Sequence, residues 1–199
     1  MVELIEFLLI SLALVLSFIL LIFLIRRTAF LFSLLKLRKS EEIEVRLVSL
    51  ISLFLPFTAK KPLAKVRVRK KLFSIYLYHG GGRWRYVHIA SDRYTVVFSK
   101  LGGKTVRSAS RTLGTSKRVI INLPSGVSRS KVRLLPEIKE SEAIPLLVFS
   151  PEPAELTYVT KERTSIKVAF TGERVGSWLI FTKDTLLSYL DRESRGFFD

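Results

Sequence analysis

The sequence predicts an α+β protein: a single N-terminal transmembrane helix, then a mainly β, basic soluble domain with a C-terminal helix. Three observations support this fold class. Residues 7–25 form a run without any charge, glycine or proline. Short segments that alternate apolar and polar residues follow it, as expected of half-buried strands. Lys and Arg outnumber Asp and Glu by 33 to 17, which gives a formal net charge of +16.

The composition limits the class of protein. The 199 residues suffice for one ordinary domain plus an N-terminal segment. A hydrophobic content of 48% excludes a disordered chain despite the charge. The chain has no cysteine, which excludes disulfides, thiolate metal sites and cysteine nucleophiles. Glutamine is absent and asparagine occurs once, at Asn122, a bias typical of proteins from hot environments.

The uncharged run predicts a membrane anchor over residues 1–39. At about 1.5 Å per residue, a helix over residues 7–25 matches a hydrocarbon core of about 30 Å. The only charged residues before the run are the acids Glu3 and Glu6, whereas the basic residues Arg26, Arg27 and Lys36 follow it. The positive-inside rule then predicts a single-pass cell-membrane protein with its N-terminus outside and its C-terminal domain in the cytoplasm.

Residues 40–59 predict a linking or interfacial helix that stops before Pro56, where a proline would break it. Apolar residues at helical spacing support it, namely Ile43, Leu47, Leu50, Ile51 and Phe54. Two alternatives remain open. Residues 43–47 alternate apolar and charged side chains and would also suit a strand, and residues 43–55 could cross the membrane rather than lie on it.

The sequence predicts a basic β-rich domain over residues 60–199. Strands are expected at residues 65–69, 72–78, 83–90, 94–99, 117–123, 131–135, 145–149, 156–160, 165–170 and 178–181. The glycines at 80–82 predict a turn from which 83–90 returns as a strand. Residues 104–117 have no clear period and predict a mobile loop. A C-terminal helix is expected from Asp184 through Leu186, Leu187 and Leu190.

Charge is concentrated in the first half of this domain. Residues 60–133 hold nineteen Lys or Arg and one acid, Asp92, whereas residues 134–199 hold eight basic and eleven acidic residues. Such asymmetry indicates a surface that faces a polyanion. The candidate polyanion-binding residues are Lys60, Lys61, Lys65, Arg67, Arg69, Lys70, Lys71, Arg83, Arg85, Lys100, Lys104, Arg107 and Arg111.

Three kinds of partner fit these cations. Anionic lipid headgroups attract basic segments that lie close to a bilayer. Nucleic acid would gain from phosphate neutralisation, with Trp84 and Tyr86 as candidates to stack on unpaired bases. An acidic subunit of a membrane complex is the third. The prediction is therefore a membrane-anchored, non-enzymatic binding or scaffold protein that needs no cofactor.

Motifs for catalysis are incomplete. Gly103, Lys104 and Thr105 match the end of a phosphate-binding loop, but the glycine required five residues earlier is Phe98. His79 and His88 are the only histidines, and neither lies in a metal-binding or nucleophile motif, so both are expected to be structural or surface residues. No metal site and no catalytic residue is predicted.

A nuclease-like domain is the enzymatic alternative. The segment YTVVFSKLGGK resembles the second active-site strand of restriction-endonuclease-type nucleases, with Lys100 at the position of their lysine. The later IPLLVFSPEPAEL, followed by a strand and a helix, resembles the C-terminal half of nuclease-related domains. The resemblance implies Mg²⁺-dependent cleavage of nucleic acid. The acid expected two residues before Lys100 is Phe98, and Asp92 is misplaced, so the resemblance implies a degenerate metal site.

Overall fold

The protein has a mixed α+β fold in a computed structural model that describes residues 2–37, 42–49, 61–79, 82–91, 93–98, 106–113, 117–124, 130–136, 138, 143–159 and 166–196. These residues include two helices and thirteen strands. In chain order they are α1 Val2–Leu37, β1 Ile43–Leu47, β2 Ala64–Val68, β3 Lys71–Tyr78, β4 Gly82–Ser91, β5 Tyr94–Phe98, β6 Val106–Leu113, β7 Lys117–Pro124, β8 Ser130–Leu134, β9 Ile144–Phe149, β10 Pro153–Val159, β11 Ile166–Val168, β12 Arg174–Val175, β13 Trp178–Thr182 and α2 Lys183–Ser194.

The strands form two main sheets and a hairpin. The six-stranded sheet has the order β1-β2-β3-β9-β13-β12, and the five-stranded sheet has the order β11-β10-β4-β5-β8. Within the first sheet, β3, β9 and β13 are parallel to one another. β1, β2 and β3 pair antiparallel. β6 and β7 form a separate antiparallel pair. The expected return strand is therefore wrong in one respect, because β3 and β4 lie in different sheets.

Two cores hold the layers together, one on each face of the six-stranded sheet. The helix-side core joins α1 and α2 to one face through residues such as Val66, Phe73 and Leu190. The inter-sheet core lies between the two sheets and includes Val87, Leu147 and Trp178. Alternate residues of a strand point to opposite faces, so β3 and β9 contribute side chains to both cores.

The helix α1 belongs to the folded domain along its last turns. Phe30 and Leu34 are buried in the helix-side core, and Leu31, Leu35 and Leu37 pack against that core. In the part of the chain that the structure describes, no helix combines the length and the apolar character needed to cross a membrane. The predicted transmembrane helix is therefore wrong, because this segment contributes core residues to the domain that follows it.

Residues 43–47 form strand β1, so the predicted linking helix is wrong there and the strand alternative is confirmed. Ile43 and Val45 are buried in the helix-side core, while Glu44 is exposed. β1 pairs with β2 from Ile43↔Val68 to Leu47↔Ala64. The period-two pattern prevails because an adjacent strand supplies backbone partners, which the local sequence cannot reveal. Residues 50–60 lie outside the described residues.

The remaining secondary-structure predictions are confirmed except at one predicted loop. The C-terminal helix is confirmed as α2, with Asp184 in its first turn and Leu186 and Leu190 buried. Each segment expected to be a strand overlaps one of the strands β2 to β5, β7 to β11 or β13, whereas the short strand β12 was not expected. The loop expected at 104–117 is wrong over residues 106–113. That segment is β6, which pairs along its whole length with β7.

Candidate polyanion-binding surface

The candidate site is built on the tight turn between β2 and β3. Val68 pairs with Lys71, so Arg69 and Lys70 are the two residues of the turn. Arg69 has a φ of 51°, a left-handed conformation that costs energy in any residue with a Cβ. Its backbone N–H donates to the Glu42 carbonyl at 3.1 Å, which holds the turn against the residue preceding β1.

The turn also packs against the end of α2. A Cβ added at Gly196 would lie 2.6 Å from a guanidinium nitrogen of Arg69, so a larger residue there would require this flexible side chain to move. Gly196 has a φ of +78°, which independently favours glycine. The Arg69 guanidinium therefore lies against the residues that follow α2.

Four cationic side chains surround one concavity at this end of the sheet. The concavity has a volume of about 540 Å³ and is lined by Arg67, Arg69, Lys70, Lys71, Leu72 and Ile144. We call it the basic hairpin surface. It lies where β3 and β9 begin, since Lys71 and Ile144 are their first residues. The structure thus brings together four of the predicted polyanion-binding residues.

Glutamates from outside the basic block accompany three of these cations. Arg67 lies 3.8 Å from Glu44, and the Arg69 Nε lies 3.3 Å from Glu42. Lys71 Nζ contacts the Glu193 carboxylate. Among the described residues, no carboxylate lies within ion-pair distance of Lys70. The local field is therefore weaker than the charge of residues 60–133 alone implies.

Local sequence patterns do not reveal these acids, because tertiary pairing brings them to the turn. Glu42 and Glu44 approach the turn only because residues 43–47 pair with β2 as a strand. Glu193 is separated from Lys71 by 122 positions. The alternation of Ile43, Glu44 and Val45 was the only local signal, and it would have placed Glu44 on the face of β1 that Arg67 shares.

Lys65 extends the charged surface along β2. It lies on the same face as Arg67 and pairs in register with Arg46 of β1, a cation that sequence analysis did not select. Lys61 and Lys65 are exposed, and so is Arg85 on β4 in the other sheet. The structure does not bring Arg85 to the basic hairpin surface, whose lining comes from β2, β3 and β9.

The remaining candidates are untested. Lys60, Lys100 and Lys104 lie outside the described residues, and so does Asp92. For Arg83 and Trp84 in β4, and for Arg107 and Arg111 in β6, only the backbone position is described. Tyr86 is half-buried. Its role in base stacking, and that of Trp84, stays a prediction. The nuclease resemblance likewise gains no support, because Phe98 ends β5 where an acid would be needed.

The two histidines take part in packing and hydrogen bonding. His88 is fully buried, with its Nδ1 2.9 Å from Thr157 Oγ1. His79 Nδ1 lies 3.1 Å from the Ser150 carbonyl, which can only accept, so Nδ1 donates. No group of three or more acidic or histidine side chains among the described residues is placed to hold a metal ion.

The basic hairpin surface lies at the opposite pole of the domain from the exposed apolar residues in the N-terminal half of α1. Ile19 and Ile22 of α1 lie beside His79, directly after the last residue of β3, whereas Lys71 is the first residue of β3. Eight residues of strand separate these poles by about 26 Å. Large apolar side chains from residue 7 to residue 21 of α1 are exposed farther along the helix. If the N-terminal half of α1 contacted a bilayer, the cations of the basic hairpin surface would lie too far away to reach the lipid headgroups.

No protein-family model, curated protein or solved structure matches this chain.

Proposed function

We propose that the protein is a non-enzymatic binding module that holds a phosphate-bearing polymer, nucleic acid, on the basic hairpin surface. One observation carries the proposal: Arg67, Arg69, Lys70 and Lys71 line a single concavity of about 540 Å³. Guanidinium groups bind phosphate through two parallel hydrogen bonds, and lysine adds a mobile point charge. Their convergence suits a chain of closely spaced phosphates.

Phosphate groups can replace the glutamates in the ion pairs of Arg67 and Arg69. Glu42 and Glu44 are both more than half exposed, at 54% and 69% of their side chains. Exposed pairs of this kind contribute about 0–1 kcal/mol, so phosphate groups can displace these glutamates at little cost. The Lys71–Glu193 pair differs, because Glu193 is only 4% exposed. Arg67, Arg69 and Lys70 are therefore the cations expected to contact the polymer.

The distance between the poles favours nucleic acid over lipid headgroups. If the apolar residues of α1 contact a membrane, the hairpin lies about 26 Å from that end of the domain. Screening at physiological ionic strength reduces electrostatic attraction over about 8 Å. The cations would therefore face away from the membrane and be accessible to a soluble polymer.

Oligonucleotide binding measured by fluorescence anisotropy between 50 and 300 mM KCl tests the proposal. We expect affinity for a single strand to fall with salt, with a slope of about −0.7 for each phosphate neutralised. The double variant Arg67→Ala/Lys70→Ala should bind more weakly and reduce the slope by about 1.4. The matched control is Lys167→Ala/Arg174→Ala, which removes two exposed cations from β11 and β12.

Two results would overturn it. One is no oligonucleotide binding at 50 mM KCl, and the other is an equal loss of affinity in the hairpin and control variants. Vesicles that contain anionic lipid form a parallel arm. If the hairpin variant loses vesicle binding and keeps oligonucleotide binding, the cations contact headgroups instead.

We also propose that the domain is attached to the cell membrane through the exposed apolar residues of α1. Large contiguous apolar surfaces are rare on soluble monomers and mark interaction sites. Leu14 and Phe18 are 66% and 64% exposed. Flotation with lipid vesicles should carry the full chain upward, and Leu14→Glu/Phe18→Glu should remain below. A wild-type chain that does not float refutes the attachment.

A further inference from the structure

A second cavity lies at the other pole of the domain, between α1 and the ends of three parallel strands. Its volume is about 600 Å³, within the range of small-molecule sites. Ile19 and Ile22 of α1 form one wall. The function proposed above does not use this cavity, because the basic hairpin surface lies at the opposite end of β3.

The sheet topology explains why polar side chains converge here. β3, β9 and β13 run parallel, so their carboxyl ends meet at one edge of the sheet. The residues that follow or close these strands line the cavity, namely His79, Ser150, Pro151, Glu152, Thr182, Lys183 and Asp184. In open sheets with parallel strands, ligands bind outside the carboxyl ends of those strands.

The lining combines both signs of charge with an apolar wall. Glu152 and Asp184 supply carboxylates, and Lys183 supplies an ammonium group whose Nζ lies 5.4 Å from the centre of the Phe30 ring. His79 is oriented by its hydrogen bond to the Ser150 carbonyl, at 3.1 Å. A ligand therefore meets two acidic groups and one basic group, beside side chains that favour hydrocarbon.

We propose that this cavity binds the headgroup of a zwitterionic single-chain amphiphile, with its alkyl chain against Ile19 and Ile22. The ligand's ammonium group pairs with Glu152 and Asp184, and its phosphate pairs with Lys183. Charge complementarity selects this class over simple anionic amphiphiles, because a lone sulfate or carboxylate would approach two carboxylates. Uncharged headgroups can form no ion pair with Glu152, Lys183 or Asp184, so they gain less from this lining.

A photoreactive dodecylphosphocholine tests this proposal, with alkyl sulfate and alkyl maltoside probes of equal chain length as comparators. Each probe carries a diazirine near the headgroup and is used below the concentration at which it forms micelles. The exposed apolar residues of α1 can adsorb any alkyl chain, so the readout must be site-specific. Mass spectrometry of labelled peptides distinguishes residues 149–152 and 182–184 from residues 7–21.

We expect saturable labelling of the cavity peptides by the phosphocholine probe, at one probe per chain. Glu152→Gln/Asp184→Asn should weaken this labelling about tenfold, the effect of losing one or two charge-assisted contacts. The control Glu155→Gln removes a half-buried carboxylate on β10, outside the cavity lining, and should change nothing. Because Glu152 is exposed, Glu152→Gln alone provides the test if the double variant does not fold.

Three outcomes would overturn the proposal. The first is equal labelling of the cavity peptides by all three probes, which would show that the headgroup is not recognised. The second is labelling confined to residues 7–18, with none at Ile19, at Ile22 or in the cavity peptides. The third is undiminished labelling of a folded Glu152→Gln variant. None of these results depends on whether the basic hairpin surface binds nucleic acid.

Discussion

Replacing Lys71 by methionine removes the cation that faces a buried carboxylate. Lys71 Nζ contacts Glu193 Oε1, and Glu193 is only 4% exposed. Methionine keeps the length and apolar stem of the side chain, so the change is mainly electrostatic. The variant leaves Glu193 with Tyr189, whose hydroxyl hydrogen bonds to it, and without the positive charge at Oε1.

The loss of folding stability in Lys71→Met has an upper limit. Removing one partner of a fully buried pair costs about 3–5 kcal/mol. Lys71 is 42% exposed, so water replaces part of its interaction. We expect Lys71→Met to lower the free energy of unfolding by about 2–3 kcal/mol at pH 7.

Urea denaturation at pH 7 measures this effect. Glu193→Gln and the double variant complete a cycle that isolates the pair. The neighbouring Lys70→Met, in the same turn, should cost less than about 0.5 kcal/mol. A loss below 0.5 kcal/mol in Lys71→Met would refute the reasoning.

Three further predictions concern stability. Burial and the Glu193 carboxylate raise the pKa of Tyr189 to about 12, from 10.0. The folded state therefore holds this proton more tightly. The resulting stability is complete below pH 10 and declines toward pH 12, and the decline should be shallower in Tyr189→Phe. Leu34→Ala should cost about 2–5 kcal/mol in urea denaturation, against little for the 67% exposed Phe32→Ala; equal effects would contradict the packing of α1. Gly172→Ala should cost about 1 kcal/mol by the same assay, because its φ is +83°, and an unchanged midpoint would contradict this.

The sequence predicts a helix or strand correctly where the spacing of its apolar residues matches the face that the folded protein buries. The helix α2 was predictable because Asp184 lies in its first turn and Leu186 and Leu190 follow at helical spacing. Strands such as β9 were predictable from short apolar runs. Its burial on both faces, however, arises from its place between two parallel neighbours.

Elements stabilised by distant partners were not predictable. Residues 43–47 suit either a helix or a strand, and pairing with β2 decides between them. Residues 106–113 are rich in Ser, Thr and Arg and show no period, yet they pair with β7 along eight positions. In both segments the backbone hydrogen bonds to a neighbouring strand outweigh weak local preference.

The candidate sites show the same division. The excess of cations at residues 65–71 is visible in the sequence, and so is the expectation that they form strands. Only the tertiary structure adds Glu42, Glu44 and Glu193 beside them. The cavity that contains Glu152 and Asp184 had no sequence signal, because the residues lining it come from four separate segments.

By itself, the sequence determined the basic character of the chain, the apolar nature of α1, the absence of cysteine chemistry and most of the strands. These properties depend on residue type and on spacing within a single segment. Only the tertiary structure decided that α1 packs into the helix-side core, that three strands run parallel, and which acids meet which cations. Those features depend on chain segments tens of residues apart, whose mutual burial and hydrogen bonding no local pattern encodes.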